Sequence, residues 1–134
     1  MIHKFLIIAL AVVTLTITNS CKSTPGQGGN AQIKGTYWER KHDAFFTYVT
    51  GRYPAVNKQV YLFFGDDTSP GMSVNTNANG EFAFTYLRTG KYKVSIYNQR
   101  LATATQSGQY PTETYAFLNS KSEIKDLGLD TINQ

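Results

Sequence analysis

A histidine and a carboxylate stand next to each other once in the chain, at His42 and Asp43. Ser-His-Asp hydrolysis needs such a pair beside a nucleophilic serine, which in one common arrangement occupies a Gly-x-Ser-x-Gly turn. No such turn occurs, and no His-x-x-x-His pair or cysteine cluster offers the roughly three protein ligands of a catalytic Zn²⁺. We therefore predict that His42 and Asp43 belong to a solvated loop and that the chain is not an enzyme.

Oxygen-bearing side chains that could meet at one end of a small β domain suggest a weak Ca²⁺ site. They are Asp66, Asp67, Asn77 and Asn79. Ca²⁺ takes about six to eight oxygen ligands, and a dense Asp-x-Asp-x-Asp spacing is absent. Asp and Asn also favour turns, because their side chains bond to nearby backbone. We predict turn chemistry here, with no metal and no cofactor.

The sole cysteine, Cys21, follows the three parts of a secretory signal peptide. Lys4 gives the basic start, residues 5–17 form an apolar run, and small or polar residues follow up to Ser20. The run is too short to span a bilayer comfortably, since that takes about 20 apolar residues. This pattern predicts export and removal of residues 1–20.

Lipidation of Cys21 would explain a lone thiol in an exported protein, where it would otherwise be reactive. Ser20-Cys21 resembles the end of a lipobox, the motif read by lipoprotein signal peptidase. The resemblance implies acyl chains such as palmitate on Cys21, a stable membrane anchor and a Gram-negative cell envelope. Lys22 after the cysteine favours the outer membrane, with the periplasmic or surface face left open.

Residues 22–30 contain no apolar side chain that could pack, and their Gly and Ser residues make the stretch flexible. We therefore expect residues 21–30 to form a flexible tether. Residues 31–134 remain for one domain with a single core. The formal net charge is +4, but the basic residues are scattered rather than clustered. A nucleic-acid partner is therefore not expected.

Short alternating segments separated by turns predict an all-β domain, a single β-sandwich of the prealbumin-like or immunoglobulin-like kind with about seven to eight strands. Residues 91–97 give the cleanest alternation, with Tyr92, Val94 and Ile96 inside and Lys91 and Lys93 outside. Residues 81–87 place Phe82, Phe84 and Tyr86 on one face. The remaining predicted strands are residues 31–38, 45–49, 59–64, 72–76, 112–118 and 123–132, the last with a bulge at Gly128.

Residues 77–94 (NANGEFAFTYLRTGKYKV) resemble the signature of carboxypeptidase-regulatory-like domains, which share the transthyretin-like sandwich. In that family an Asn-Gly or Asp-Gly turn precedes an aromatic strand, and a Leu-x-x-Gly-x-Tyr turn follows it. Residues 33–36 and 126–128 are similar to its first and last strands. Transthyretin relatives that hydrolyse hydroxyisourate use several histidines and a Tyr-Arg-Gly-Ser ending, neither of which this chain has. The resemblance implies a scaffold without that activity.

Eighteen aromatic residues, nine Tyr, eight Phe and one Trp, are many for so small a core. Residues 38–53 combine aromatic and basic side chains, the types that dominate contact energetics. Long loops on a rigid scaffold are also where binding residues concentrate. We predict a binding surface there, with residues 98–111 contributing. Its candidate residues are Trp38, Arg40, Tyr48, Arg52 and Tyr53. The alternative is that Phe45, Phe46 and Val49 form an edge strand packed on the core.

The sequence therefore favours a lipid-anchored envelope module with a binding or structural role and an unknown protein or glycan partner. A carbohydrate-binding module that uses exposed aromatics is the first alternative. A small envelope enzyme is the second.

Overall fold

A computed structural model describes residues 24–102 and 108–134. Eight β-strands make up this part of the chain: β1 (Gln27–His42), β2 (Val49–Pro54), β3 (Gln59–Phe64), β4 (Met72–Asn75), β5 (Glu81–Leu87), β6 (Gly90–Gln99), β7 (Gln109–Leu118) and β8 (Ile124–Asn133). Within the described residues, no helix is long and apolar enough to cross a membrane. The predicted signal peptide and Cys21 lie outside the described residues.

The strands form two four-stranded sheets, as a β-sandwich requires. In sheet A, β8 runs parallel to β1 along one edge of that strand, from Gln32 to Arg40. The other edge of β1 pairs antiparallel first with β5, up to Thr36, and then with β2, from Trp38 onward. Sheet B has the antiparallel order β4-β3-β6-β7. The long first strand thus extends past β5 and carries a hairpin beyond it.

Alternating side chains of both sheets meet in one apolar core, and this part of the prediction is confirmed. Fully buried large side chains are Ile33, Val60, Leu62, Phe84, Leu87, Tyr92, Val94, Ile96 and Ile132. Phe82 is also buried and stacks on Tyr37, with ring centroids 5.3 Å apart. Because every second residue faces inward, the neighbours of these residues line the two outer faces of the sandwich.

Three sequence-based expectations are wrong in detail. The tether was expected to reach Asn30, but β1 already begins at Gln27 and pairs with β5 there. Tyr86 was placed on the inner face, but it is 73% exposed because a bulge at its positive φ of 59° turns it outward. Residues 45–48 are a loop and not a strand, since β2 begins only at Val49.

One other detail follows the predictions. The bulge expected at Gly128 is present: β8 shifts its register on β1 between Lys34 and Thr36, and Gly128 has a φ of 76°. The turn residues Asp66 and Asn77 lie at opposite ends of β4, so the four oxygen-bearing side chains do not gather. Among the described residues no group of three His, Cys, Asp or Glu side chains is placed to hold a metal ion.

Candidate functional site

The hairpin of β1 and β2 holds all five predicted binding residues, and its strand register divides them between two faces. Arg40 lies opposite Arg52, and Trp38 lies opposite Pro54. Cross-strand partners share a face, so Trp38, Arg40 and Arg52 come together on the outer face of sheet A. Tyr53 is paired with Glu39 and therefore points to the opposite face.

Tyr53 covers the backbone of its own strand. A Cβ added to Gly51 would lie 2.6 Å from the Tyr53 ring, so the absence of a side chain at residue 51 makes room for the tyrosine. On the same face the Glu39 carboxylate forms an ion pair with Lys58, at 3.3 Å. Tyr53 remains 53% exposed. It is thus an exposed residue of the hairpin, but it does not extend the surface around Trp38.

The tip of the hairpin is shaped by Asp43. Its Oδ1 accepts hydrogen bonds from the backbone N–H groups of Thr47, at 2.6 Å, and Tyr48, at 2.9 Å. These hydrogen bonds, the one from Tyr48 foremost, hold the pKa of the Asp43 carboxyl below its usual value. The expectation of a solvated loop pair holds for Asp43, which acts as a turn-forming acceptor. It is wrong for His42, which ends β1 and is partly buried. The loop leaves Tyr48 72% exposed and Phe45 76% exposed.

His42 joins the hairpin to the end of the chain. Its Nε2 lies 3.1 Å from Asn133 Oδ1, and its ring stacks on Phe46 with centroids 5.0 Å apart. The backbone N–H of Asn133 in turn donates to Asn98 Oδ1. Both long segments singled out in the sequence therefore contact Asn133, at one end of the sandwich. Within the second segment, Arg100 lies over the Tyr110 ring at 5.2 Å, and residues 103–107 lie outside the described residues.

A second aromatic surface, which the sequence analysis did not select, covers the outer face of sheet B. It consists of Tyr61, Phe63, Tyr97, Tyr115 and Phe117, here called the aromatic face. Tyr97, Tyr115 and Phe117 are each more than half exposed. The register aligns Phe63, Lys93 and Tyr115 in one row across β3, β6 and β7.

Two lysines lie among the rings of the aromatic face. Lys93 Nζ is 4.4 Å from the Phe63 ring centroid, and Lys91 Nζ is 5.3 Å from that of Tyr115. Each lysine is also paired with a carboxylate: Lys93 with Glu113, at 2.9 Å, and Lys91 with Asp66, at 2.7 Å. These contacts hold the lysine stems across the face, and Ser95 at its centre is buried.

The alternation that located the core also contained the signal for the aromatic face. If Lys93 and Ser95 point outward, Tyr97 must do so too, and the strand register then adds Tyr61 and Tyr115. The sequence does not reveal this register, because nothing in residues 112–118 shows which strand they pair with.

The shifted pKa values of the described residues have structural causes. Burial, with a smaller effect of Asp130, raises the pKa of Tyr37 to about 12. Burial also raises the pKa of Tyr92. The pKa of Asp66 is lowered by its hydrogen bond and ion pair with Lys91, and that of Asp126 mainly by the backbone N–H of Gly128. The fold itself therefore accounts for the pKa shift of each of these groups.

Comparison with known proteins gives no family. No protein-family model matches the chain, and no curated protein matches it. The solved structures that align with it include a Pseudomonas aeruginosa protein provisionally described as carbohydrate-binding, (S)-allantoin synthase and a 9R-lipoxygenase from Cyanothece.

The three structures are distant from this chain. Their identities are 15%, 12% and 15%, and their TM-scores are 0.46, 0.42 and 0.39. The alignments cover 81%, 78% and 95% of this chain, and 91%, 42% and 20% of the respective structures. The chain thus spans less than half of the second and third. At this similarity they carry no argument about its ligand or activity.

Proposed function

We propose that this protein is a non-enzymatic binding module of the Gram-negative cell envelope, anchored by acyl chains on Cys21 after removal of residues 1–20. Its ligand-contacting surface is the aromatic face of sheet B. The observation that carries this proposal is the exposure of Tyr97, Tyr115 and Phe117 on adjacent strands. The scaffold assignment, a carboxypeptidase-regulatory-like sandwich, rests on the resemblance of residues 77–94.

The physical argument concerns what a solvated sheet face normally carries. An antiparallel sheet that faces water on one side alternates apolar residues inside with polar residues outside. The aromatic face breaks that rule at five positions on three neighbouring strands. Large aromatic side chains bury about 150–250 Å² each when covered, so they contribute strongly to association. Lys91 and Lys93, held between the rings, add a polar element that can orient a partner.

The non-enzymatic part of the proposal is supported by the state of the ionisable groups. Asp43, Asp66 and Asp126 are solvent-exposed, and hydrogen bonds or ion pairs within the fold account for their pKa shifts. A general acid or base would instead be expected in a cleft, with a shift that brings its pKa towards neutrality.

A glycan ligand is the second candidate, favoured by the polar residues that surround the rings. Gln59, Gln99 and Gln109 border the aromatic face, and amide side chains both donate to and accept from hydroxyl groups. One contact argues for a protein partner instead. Tyr61 and Tyr97 pack edge to face, at 87°, and so do not offer a common plane for a sugar ring.

The test places a photo-crosslinking amino acid at residue 115 of the full chain expressed in its own envelope, with the same substitution at residue 48 as the matched control. Both replace an exposed tyrosine. We expect one dominant adduct from residue 115, lost when Phe117→Ser is added, and none of that adduct from residue 48. Mass analysis of the adduct separates a protein from a glycan partner. Equal adducts at both positions, or none at residue 115, would contradict the proposed surface.

A further inference from the structure

The chain enters the sandwich at a well-fixed point. The ring of Pro25 packs against Gly90, where an added Cβ would lie 2.8 Å from Pro25 Cβ. The backbone of Gly26 donates to the Tyr92 hydroxyl at 2.9 Å, and its carbonyl accepts from the backbone N–H of Arg88 at 2.9 Å. From Pro25 onward the chain is therefore held by the turn between β5 and β6. We call this the N-terminal end of the sandwich.

The short distance from Cys21 to Pro25 has a geometric consequence, which rests on the lipid anchor of the proposed function. Four Cα–Cα steps separate the two residues and span at most about 15 Å. If Cys21 carries acyl chains in a bilayer, the N-terminal end must lie close to the lipid headgroups. The hairpin tip lies at the far end of β1, whose residues from Ala31 to His42 extend roughly 35 Å.

A cavity of about 570 Å³ opens at this N-terminal end, between the start of β1 and the β5–β6 turn. Its charged lining residues are Arg88 and Lys121, and no carboxylate lines it. Neither cation forms an ion pair with any residue that the structure describes, whereas Lys34, Lys58, Lys91 and Lys93 each pair with a carboxylate. The cavity thus brings together two cations that pair with no carboxylate of the described residues.

Two glycines allow the first strand to pass close to this turn. A Cβ at Gly29 would lie 1.9 Å from the Leu87 carbonyl oxygen, so no side chain fits there. The Arg88 guanidinium lies over Gly28, where an added Cβ would be 3.2 Å from Nη2. The cavity is therefore bounded by backbone without side chains on one side and by two cations on the other. This environment suits a compact, strongly anionic group. A guanidinium binds phosphate oxygens through paired N–H donors, and an ammonium adds a point charge.

Tyr86 adds an amphipathic side chain at the same end. It precedes Arg88 by two residues, has a φ of 59° and is 73% exposed. Bulges commonly redirect a side chain, and a bulky residue with positive φ is costly enough to need a reason. Tyrosine is enriched at the headgroup level of membranes, because its ring is apolar and its hydroxyl is polar.

We propose that this cavity binds the anionic headgroup of a membrane phospholipid, with Arg88 and Lys121 contacting the phosphate and Tyr86 lying among the headgroups. The sandwich then stands end-on at the bilayer with its hairpin pointing away. The lipid anchor brings the protein to the membrane, and the cavity fixes its orientation there. Attraction between basic side chains and anionic lipid at the surface supports the docking.

The experiment uses the acylated full-length protein in vesicles of phosphatidylcholine alone or with phosphatidylglycerol added. Cys21 is the only natural cysteine, so Tyr86→Cys places a single free thiol for a fluorophore at the N-terminal end. Tyr48→Cys is the matched control, because the two tyrosines are 73% and 72% exposed. A quencher attached to lipid headgroups reports proximity to the bilayer.

We expect strong quenching of the label at residue 86 on vesicles that contain phosphatidylglycerol, and little at residue 48. Arg88→Gln with Lys121→Gln should lower the quenching to the level that the short tether alone gives on vesicles of phosphatidylcholine, while the protein stays on the vesicles through its acyl chains. The single variant Arg88→Lys, which keeps both positive charges, should recover part of the quenching. The substitutions leave the backbone hydrogen bond of Arg88 in place, so folding should be retained, which circular dichroism checks.

Other outcomes overturn the proposal, and they differ from a failure of the anchor. Quenching at residue 86 that does not depend on phosphatidylglycerol, or that survives the double substitution, rules out the headgroup site. A free-phosphate site would be identified instead if inorganic phosphate, without vesicles, changed the emission of the label and phosphatidylglycerol added no further effect. Intact mass of the mature protein measures acylation separately, so an unmodified Cys21 contradicts the anchor and not the cavity's chemistry.

Discussion

The two outer faces of the sandwich share one core but carry different side chains. The face of sheet A presents Lys34, Glu81, Thr85 and Asp126 on neighbouring strands, with Trp38 further along β1. Lys34 is paired to Asp126 at 3.4 Å. Its exposed aliphatic residues, Ile124 and Leu129, stand at the edge strand β8. The face of sheet B instead concentrates Tyr61, Phe63, Tyr97, Tyr115 and Phe117 over β3, β6 and β7.

This difference distinguishes the side chains that the fold requires from those that it does not require. Both sheets satisfy the core with the same inward alternation, so core packing does not account for aromatics that point outward on one of them. Solubility would favour the mixed composition of sheet A on both faces. The aromatic face is thus the surface whose composition the fold leaves unexplained, and this is the reason for assigning it a binding role.

The largest expected effect contrasts the same substitution at a core position and at a position on the aromatic face. Phe84 is fully buried and Phe117 is 53% exposed. Phe84→Ala should lower the free energy of unfolding by about 3–5 kcal/mol, because it removes a buried ring and leaves a cavity. Phe117→Ala should cost less than about 1 kcal/mol. Urea denaturation of the two variants measures both values, and similar losses would mean that Phe117 is part of the core.

Much of this core was predictable from the sequence, and the reason is local. Residues 91–97 alternate strictly, so the inward positions of Tyr92, Val94 and Ile96 follow from a period of two alone. Residues 45–49 look like a strand by composition, but Asp43 accepts hydrogen bonds from two backbone N–H groups, and residues 45–48 form a loop. Short-range side-chain bonds of this kind compete with sheet formation and are hard to weigh from sequence.

The candidate sites were less predictable, because they depend on which strands become neighbours. The cluster of Trp38, Arg40 and Arg52 could be found, since the two strands of the hairpin are close in sequence. The aromatic face joins β3 to β6 and β7, whose registers are set by long-range pairing. The cavity beside Arg88 and Lys121 needs β1, the β5–β6 turn and the loop after β7 together.

A smaller effect separates two exposed tyrosines with different backbones. Tyr86 has a positive φ, whereas Tyr115 lies in the regular strand β7. Tyr86→Gly should leave the stability unchanged or raise it by up to ~1 kcal/mol, because the left-handed conformation is costly for a side-chain-bearing residue. Tyr115→Gly should instead lower it by roughly 1 kcal/mol, since glycine weakens a strand. Thermal unfolding without vesicles compares the two, and a larger loss for Tyr86→Gly would show that its ring stabilises the fold.

The smallest effect concerns the tip of the β1–β2 hairpin, which lies beyond the end of β5. The pKa of Asp43 is lowered in the folded protein, chiefly by the backbone N–H of Tyr48 and to a lesser extent by that of Thr47. A carboxyl whose folded pKa is depressed stabilises the fold above its unfolded pKa of about 3.9, and this contribution is lost as pH falls through the folded value. The amide resonances of Thr47 and Tyr48 should therefore stay constant from neutral pH to about pH 4 and move only below it. In Asp43→Asn the side-chain oxygen can still accept both hydrogen bonds but cannot titrate, so the movement should disappear while the loop persists. NMR titration of the two proteins checks this, and a transition near neutral pH would show that another ionisable group, not Asp43, holds the tip.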